Sequence, residues 1–384
     1  TITAPAKTGQ GNLMDIGYFL KLMREKNASD LFLSTGAPVY IKVEGKLYAL
    51  GNNGLPTGMV KKIAYSLMDE DQIKVFEHEL EYNMAISIRE AGRFRVNCFK
   101  QRGEIAMVIR AIKSEIPTIE ELKLPQTLKR IINEPRGLVL VVGSTGSGKS
   151  TALAAMIDHR NETQTGHILT IEDPIEFLHR HKKSLVNQRE VGFDTHGFHN
   201  ALKNAMREAP DVILIGEIRD PQTMEHAIAF AETGHLCLAT LHANSANQAL
   251  DRIINFLPDE RRSQLLMDLS LNLRAIVSQR LVPRMGGKGR ASAVEVLLNS
   301  STVAALIQKG EVLEVKEVMK KSREMGMQTF DQALFDLYEA RTISYQDALR
   351  NADSINDLRL QIKLHGKDTR DNDLSAGTEH LEIV

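Results

Sequence analysis

Gly143, Gly148, Lys149 and Ser150 stand at the spacing Gly-x-x-x-x-Gly-Lys-Ser inside LVLVVGSTGSGKST, residues 138–151. Residue types in this order do phosphate chemistry. Glycines let backbone N–H groups turn inward, a lysine reaches the β and γ phosphates, and a hydroxyl ligates Mg²⁺ where a helix begins. Ser144, Thr145, Gly146, Ser147 and Thr151 complete the cradle. The apolar run Leu138 to Val142 before it reads as a buried strand, and Ala152 to Arg160 after it as a helix. A nucleoside triphosphate with Mg²⁺ is the expected ligand.

Further stretches narrow the chemistry. In PDVILIGEIRD, residues 210–220, a buried strand ends in Gly216-Glu217. Many triphosphatases end the corresponding strand in a metal-side Asp. Gly216 cannot fill that role, whereas Glu217 is placed to orient or deprotonate an attacking water. HILTIEDPIEF, residues 167–177, sets Glu172 and Asp173 at the end of a strand, where carboxylates of open α/β sheets face the ligand crevice and can supply the missing metal-side charge. ETGHLCLATLHANSA, residues 232–246, carries His235 and His242 on either side of an apolar strand. They read either as two core histidines or, for His242, as a donor to the γ-phosphate. Zinc finds no accompanying Cys pair or short-spaced partner. RFRVNCFKQRGEIAMVIR, residues 93–110, spreads Arg93, Arg95, Arg102 and Arg110 over two strands. Alternation makes most of them a solvent-facing row, from which one or two could serve as arginine fingers.

These residues need elements to position them. The small, polar residues 1–12 read as a flexible lead, and residues 13–112 as an α+β domain. In it a helix from Leu13 precedes a hairpin over 39–50 that turns at Glu44-Gly45. A helix over 58–76 and strands over 82–88, 92–99 and 106–112 follow. Pro117, Pro125 and the charge cluster of SEIPTIEELKLP, residues 114–125, mark a linker, taken over 113–124. From 125 the pattern alternates strand and helix, with strands expected at 138–142, 167–171, 184–188, 212–215 and 236–241, which implies a largely parallel sheet covered on both faces. Beyond Pro258 the pattern reads as mainly helical, with Leu265, Leu266, Leu269, Leu273, Ile276 and Val277 recurring at helical spacing. The core is taken to run over 125–298, with a helical subdomain over 299–364 and a polar, disordered tail over 365–384. The fold class is therefore α/β with an α+β domain in front.

Composition excludes several classes. Hydrophobic residues make up 42% of the 384 and charged residues 25%, as in ordinary globular proteins. The 48 basic and 49 acidic residues leave a formal net charge of -1, so bulk attraction to nucleic acid or anionic lipid has no basis. Cys98 and Cys237 lie in separate apolar runs, which suits buried thiols in a reducing cytoplasm. No apolar run approaches membrane-spanning length, so membrane association is expected only through partners.

Taken in order, ASDLFLSTGAPVYIKVEGKL, RFRVNCF, GSTGSGKST, ILTIEDPIEF, LVNQREV, PDVILIGEIRD, ETGHL…TLHANSA, DRIINFLP, LRAIVSQRLVP and GMQTFDQAL resemble the type IV pilus retraction ATPases of the secretion-ATPase superfamily, in their PilT/PilU branch. The resemblance implies a hexameric ring of chains, each with a PAS-like first domain and a RecA-like ATPase domain ending in a helical subdomain. ATP hydrolysis in that ring drives rotation against an inner-membrane platform protein. It implies that Lys149 and Ser150 belong to the Walker A motif, Glu217 is the catalytic glutamate, Glu172 and Asp173 form an acidic box, and His235 and His242 a histidine box. Arg95 and Arg110 fall where related ATPases present arginines to nucleotide. Two features favour retraction and the accessory, PilU-like type. The cysteines cannot build the four-cysteine zinc module of extension ATPases. TVAALIQKGE, residues 302–311, lacks both arginines of the principal retraction motor's Ala-Ile-Arg-Asn-Leu-Ile-Arg-Glu motif. The partners so implied are further copies of the chain, a related retraction ATPase and the platform protein, at the cytoplasmic side of the pilus base. The competing readings are an ATP-binding accessory subunit that supports a principal retraction motor with little force of its own and a DNA- or protein-translocating ATPase.

Overall fold

The computed structural model describes residues 16–89, 91–287 and 289–366. The expected flexible lead, and the expected tail from 367 onward, lie outside the described residues. The chain divides into two compact units, Thr1–Glu115 with Ile175–Leu178, and Ile116–Pro174 with His179–Val384.

In the first unit, helix Ile16–Glu25 precedes strands β1 (Asp30–Ser34), β2 (Val39–Val43) and β3 (Lys46–Leu50). Helices Met59–Ser66 and Glu70–Glu79 and strands β4 (Glu81–Ile88), β5 (Gly92–Gln101) and β6 (Glu104–Ala111) follow. The sheet order is β3-β2-β1-β6-β5-β4, antiparallel at every pairing. The β2–β3 hairpin turns at Glu44-Gly45, both with positive φ, as its sequence implies. Strand β1 was not foreseen, although it sits mid-sheet. The helix expected over 58–76 is two helices instead. Asp69 ends the continuity by starting the second with a capping box, its side chain accepting from Gln72 N–H.

In the second unit, strands β7 (Gly137–Val142), β8 (Gly166–Glu172), β9 (Ser184–Glu190), β10 (Val212–Ile215) and β11 (Leu236–Leu241) are joined by helices except between β8 and β9. Strands β12 (Leu273–Pro283) and β13 (Arg290–Leu298) complete the sheet, in the order β13-β12-β7-β11-β10-β8-β9. All pairings are parallel except β12 with β13. Strands β7, β10 and β11 are buried along their whole length, so their apolar runs show no alternation.

The helical reading beyond Pro258 is corrected over 273–298. The helix Asp259–Asn272 stops, and Leu273, Ile276 and Val277 continue as β12 beside β7. A strand covered on both faces presents apolar residues at many spacings, so a helix-like recurrence arises by accident. The β-branched residues Ile276, Val277 and Val282 were the better guide. Helices Ser301–Lys309, Val315–Lys321, Phe330–Glu339, Tyr345–Arg350 and Ile355–His365 follow.

Candidate nucleotide-hydrolysis site

The register of the parallel strands gathers the chemistry at one edge. Val142 at the end of β7 pairs with Leu241 of β11, so the loop from Gly143 and the residue His242 leave the sheet side by side. Ile215 of β10 pairs with Ala239 on one side and Ile171 of β8 on the other. Gly216-Glu217 and Glu172-Asp173 therefore leave the same carboxyl edge, where crevices of open α/β sheets form.

Loop 143–148 depends on its glycines at particular points. Gly148 has φ 93° and caps helix Lys149–Thr163. A side chain at Gly143, φ +154°, would place Cβ 2.7 Å from the Gln279 carbonyl on β12. Ser147 is 4% exposed, and its Oγ is among the buried polar atoms without a hydrogen-bond partner. Ser144, Thr145 and Gly146 are exposed. Lys149 Nζ donates to the carbonyls of Gly143 (2.7 Å) and Ser144 (2.9 Å). Neutral carbonyls are weaker partners for an ammonium than phosphate oxygens. A cleft of about 520 Å³ opens along residues 143–147 and is walled by Asn244, Gln248, Gln279, Arg280 and Arg290. An adjoining cleft of about 360 Å³ reaches Gly143, Ser144, His242 and Arg252.

Glu217 is held at both oxygens. Oε1 lies 2.9 Å from His242 Nε2, and Oε2 accepts from Arg219 Nε at 2.7 Å. Arg219 in turn stands 3.7 Å from Asp173 Oδ2. The Glu217 hydrogen bond raises the Arg219 guanidinium above its ordinary range. Gly216 explains the departure from an Asp at this point. Its Cβ would lie 3.1 Å from both Glu172 Cα and the Ile171 carbonyl, so β8 would have to give way to admit a side chain. Glu172 Oε1 accepts from Thr170 Oγ1 (2.6 Å) and Gln188 Nε2 (3.1 Å).

The fit to Mg²⁺ rests on donor chemistry. Ser150 in the first turn of the loop helix and the carboxylates Glu172 and Asp173 are oxygen donors, the type a hard cation takes. Among the described residues, no three or more His, Cys, Asp or Glu side chains are grouped to hold a metal ion.

One expected residue of this unit lies away from this edge. His235 lies at the opposite end of β11 from His242 in its own chain. It precedes β11 at the amino edge, where its carbonyl accepts from Gly137 N–H at 3.0 Å. Its Nδ1 is 3.1 Å from Thr233 Oγ1, and its ring meets Phe230 edge-on. The length of the strand, roughly 20 Å at about 3.3 Å per residue, separates it from His242. Arg95 and Arg110 are in the first unit, directly paired across β5 and β6. Arg110 Nε donates to Asp30 Oδ1 at 2.7 Å, and Asp30 is 4% exposed.

Sequence reasoning missed Arg219, although its motif was in view; its signal was a cation two residues beyond the glutamate. It also missed Gln279, hidden by the helical reading of β12.

The sequence profile of the Type II/IV secretion system protein family matches residues 21–350. The Type IV pilus ATPase PilU of Pseudomonas aeruginosa is 55% identical over 370 residues, 96% of this chain and 97% of that one. The chain belongs to the Type II/IV secretion system protein family, in its PilT/PilU branch. The Type IV pilus retractation ATPase PilT of the same organism is 43% identical, covering 88% of this chain and 98% of its own. The crystal structure of the pilus retraction motor PilT with bound ADP superposes with a TM-score of 0.84 at 40% identity, over 90% of this chain and 99% of that one. The mixed α/β fold described above is the fold of this PilT/PilU branch. Among the described residues, no helix is long and apolar enough to cross a membrane.

Proposed function

We propose that the chain is a Mg²⁺-dependent ATPase that powers or assists type IV pilus retraction, with Glu217 as the base that takes a proton from the attacking water. The observation that carries this is the convergence of Glu217, His242 and loop 143–148 at one sheet edge, with His242 Nε2 against Glu217 Oε1 at 2.9 Å. His242 fixes one carboxylate oxygen and sits beside Gly143 along the 360 Å³ cleft, where it can feel the presence of a γ-phosphate. Lys149 exchanges its two carbonyls for phosphate oxygens, a charge-assisted contact. Ser150, Glu172 and Asp173 are the residues that would hold Mg²⁺, which offsets the charge developing on the transferring phosphoryl group.

The second unit acts in this reading as a RecA-like motor domain and the first as a PAS-like domain. Six copies form a ring at the cytoplasmic face of the inner membrane, turning against the platform protein. Arg95 and Arg110 stabilise transition-state charge on nucleotide held by another chain. The accessory reading, in which the chain supports a related principal motor with little force of its own, is favoured by one feature. Helix Ser301–Lys309 offers Ala304 and Gln308 where the principal motor's motif has its two arginines.

The test mixes an inactive Lys149→Ala chain with an inactive Arg95→Ala/Arg110→Ala chain and measures phosphate release per mole. Each parent should lose at least tenfold in turnover, at about the low end for a lost charge-stabilising contact. Mixing should restore activity through sites completed between chains. Verified mixed assemblies without recovery would overturn action between chains. Full activity of a strictly monomeric protein would sink the ring.

A further inference from the structure

The loop from His242 to Ala246 is tied to its surroundings by Arg252 Nη1 to the His242 carbonyl (2.8 Å), Arg280 Nη2 to the Asn244 carbonyl (3.0 Å), and Ala246 N–H to Glu295 Oε1 (2.8 Å). The last tie differs in kind. Glu295 is 1% exposed, lies in the middle of β13, and accepts at the same oxygen from Ser278 Oγ at 3.1 Å, directly opposite on β12. Ser278 in turn pairs with Val142, the residue before Gly143. A buried carboxylate is costly unless its hydrogen bonds offset the loss of water. Neutral acceptors would satisfy one N–H and one hydroxyl at lower cost. What a carboxylate adds is a strong grip on a helix start, and Ala246 is the first residue of helix Ala246–Ile254, where backbone N–H groups lack intrahelical partners. Ser245 already caps that helix through Gln248 N–H, so Glu295 is a second, independent anchor, reaching in from another strand.

We propose that Glu295 is a positioning residue for hydrolysis: it clamps the first turn of helix Ala246–Ile254 and so sets His242 against Glu217. This rests on the reading of Glu217 and His242 as the hydrolytic pair. It also gives the β12–β13 hairpin a bearing on that pair. The residue after Glu295, Val296, exchanges backbone hydrogen bonds with Gln328 ahead of helix Phe330–Glu339, so the C-terminal helices reach the catalytic loop through one peptide.

The test compares Glu295→Ala, Glu295→Gln and Ala246→Pro, each alone and combined with His242→Ala, in steady-state ATPase assays with ADP-binding stoichiometry measured in parallel. Ala246→Pro removes the single N–H that Glu295 accepts. The backbone torsions suit proline, at the first helical position after a residue with φ -157° and ψ 169°, and its Cδ must displace Glu295 Oε1, which lies 2.8 Å from this nitrogen, so the variant breaks the clamp outright. Glu295→Ala and Ala246→Pro should lower kcat by ~10-fold or more, as misplacement of a catalytic group does, with KM for ATP and binding stoichiometry unchanged. Glu295→Gln, which keeps an acceptor oxygen but not the charge, should recover part of the loss. In the His242→Ala background neither change should slow turnover further. Losses that multiply with His242→Ala, or that track lost ADP sites, would overturn the positioning role while leaving the hydrolytic pair intact. Wild-type turnover in His242→Ala alone would instead sink the pair, and the proposal with it. If Glu295→Ala fails to fold, the Ala246→Pro pair decides.

Discussion

Replacing Glu217 by Gln perturbs one proton-accepting site and almost nothing of its shape. Both oxygens are engaged by nitrogen groups, His242 Nε2 at 2.9 Å and Arg219 Nε at 2.7 Å. A carboxamide offers only one acceptor. Because a guanidinium cannot give up its proton, the amide oxygen must stay on Arg219 and the NH₂ must face His242. His242 then has to present a bare Nε2 and carry its proton on Nδ1. The variant therefore loses the base and inverts the tautomer of its neighbour in one step, while loop 143–148 and Lys149 are untouched. Positioned general bases contribute about 10²–10⁴ in rate, so kcat should fall by roughly that factor, which is about 3–5 kcal/mol in barrier height. The assay is phosphate release at saturating ATP and Mg²⁺, with nucleotide affinity measured separately and expected within about threefold of wild type. Nitrogen chemical shifts of His242 report the tautomer directly. Turnover within threefold of wild type, with the tautomer change verified, would refute Glu217 as the base.

Two other outcomes follow from the same geometry. Gly216→Ala places Cβ 3.1 Å from Glu172 Cα and the Ile171 carbonyl; wedging β10 from β8 should cost about 1–3 kcal/mol in urea unfolding and slow hydrolysis by displacing Glu217, whereas unchanged stability would show that β8 yields freely. Burial lowers the His179 imidazole from 6.5 to about 4, against the opposing pull of Asp158. The folded pKa lies below the unfolded one, so the unfolded chain takes the proton first. This contribution is complete above pH 6.5, declines toward pH 4, and is worth at most about 3 kcal/mol. A His179→Gln chain whose unfolding midpoint drops as steeply as wild type between pH 7 and 4.5 would exclude it.

The legible parts of this chain were those whose meaning is local. Loop 143–148 is specified by consecutive residues, since glycine freedom, a lysine and a hydroxyl act within one turn. The strand ends at Glu172, Glu217 and His242 were legible for a second reason: each apolar run ends abruptly in a polar residue, and parallel strands leave a sheet at the same edge. His235 shows the limit of that logic. It flanks the same strand as His242, and sequence proximity drew the two together, yet the strand's own length holds them apart. Gln279 was obscured because β12 is covered on both faces, which erases the period that distinguishes strand from helix.

Gly216 was the one local anomaly that sequence could register without explaining. In sequence it is a missing carboxylate; in the sheet it is a close approach of the neighbouring strand, whose last residue, Glu172, is itself a carboxylate at the same edge. The two facts are linked. Because β8 runs tight against Gly216, Glu172 and Asp173 leave the sheet next to Glu217, and Arg219 can stand between Glu217 and Asp173. A side chain at 216 would add one carboxylate while pushing away two. On the proposed reading, the carboxylates Glu172 and Asp173 and the glycine in place of aspartate are thus one solution to placing negative charge beside the Mg²⁺ of a bound nucleotide, built from strand spacing.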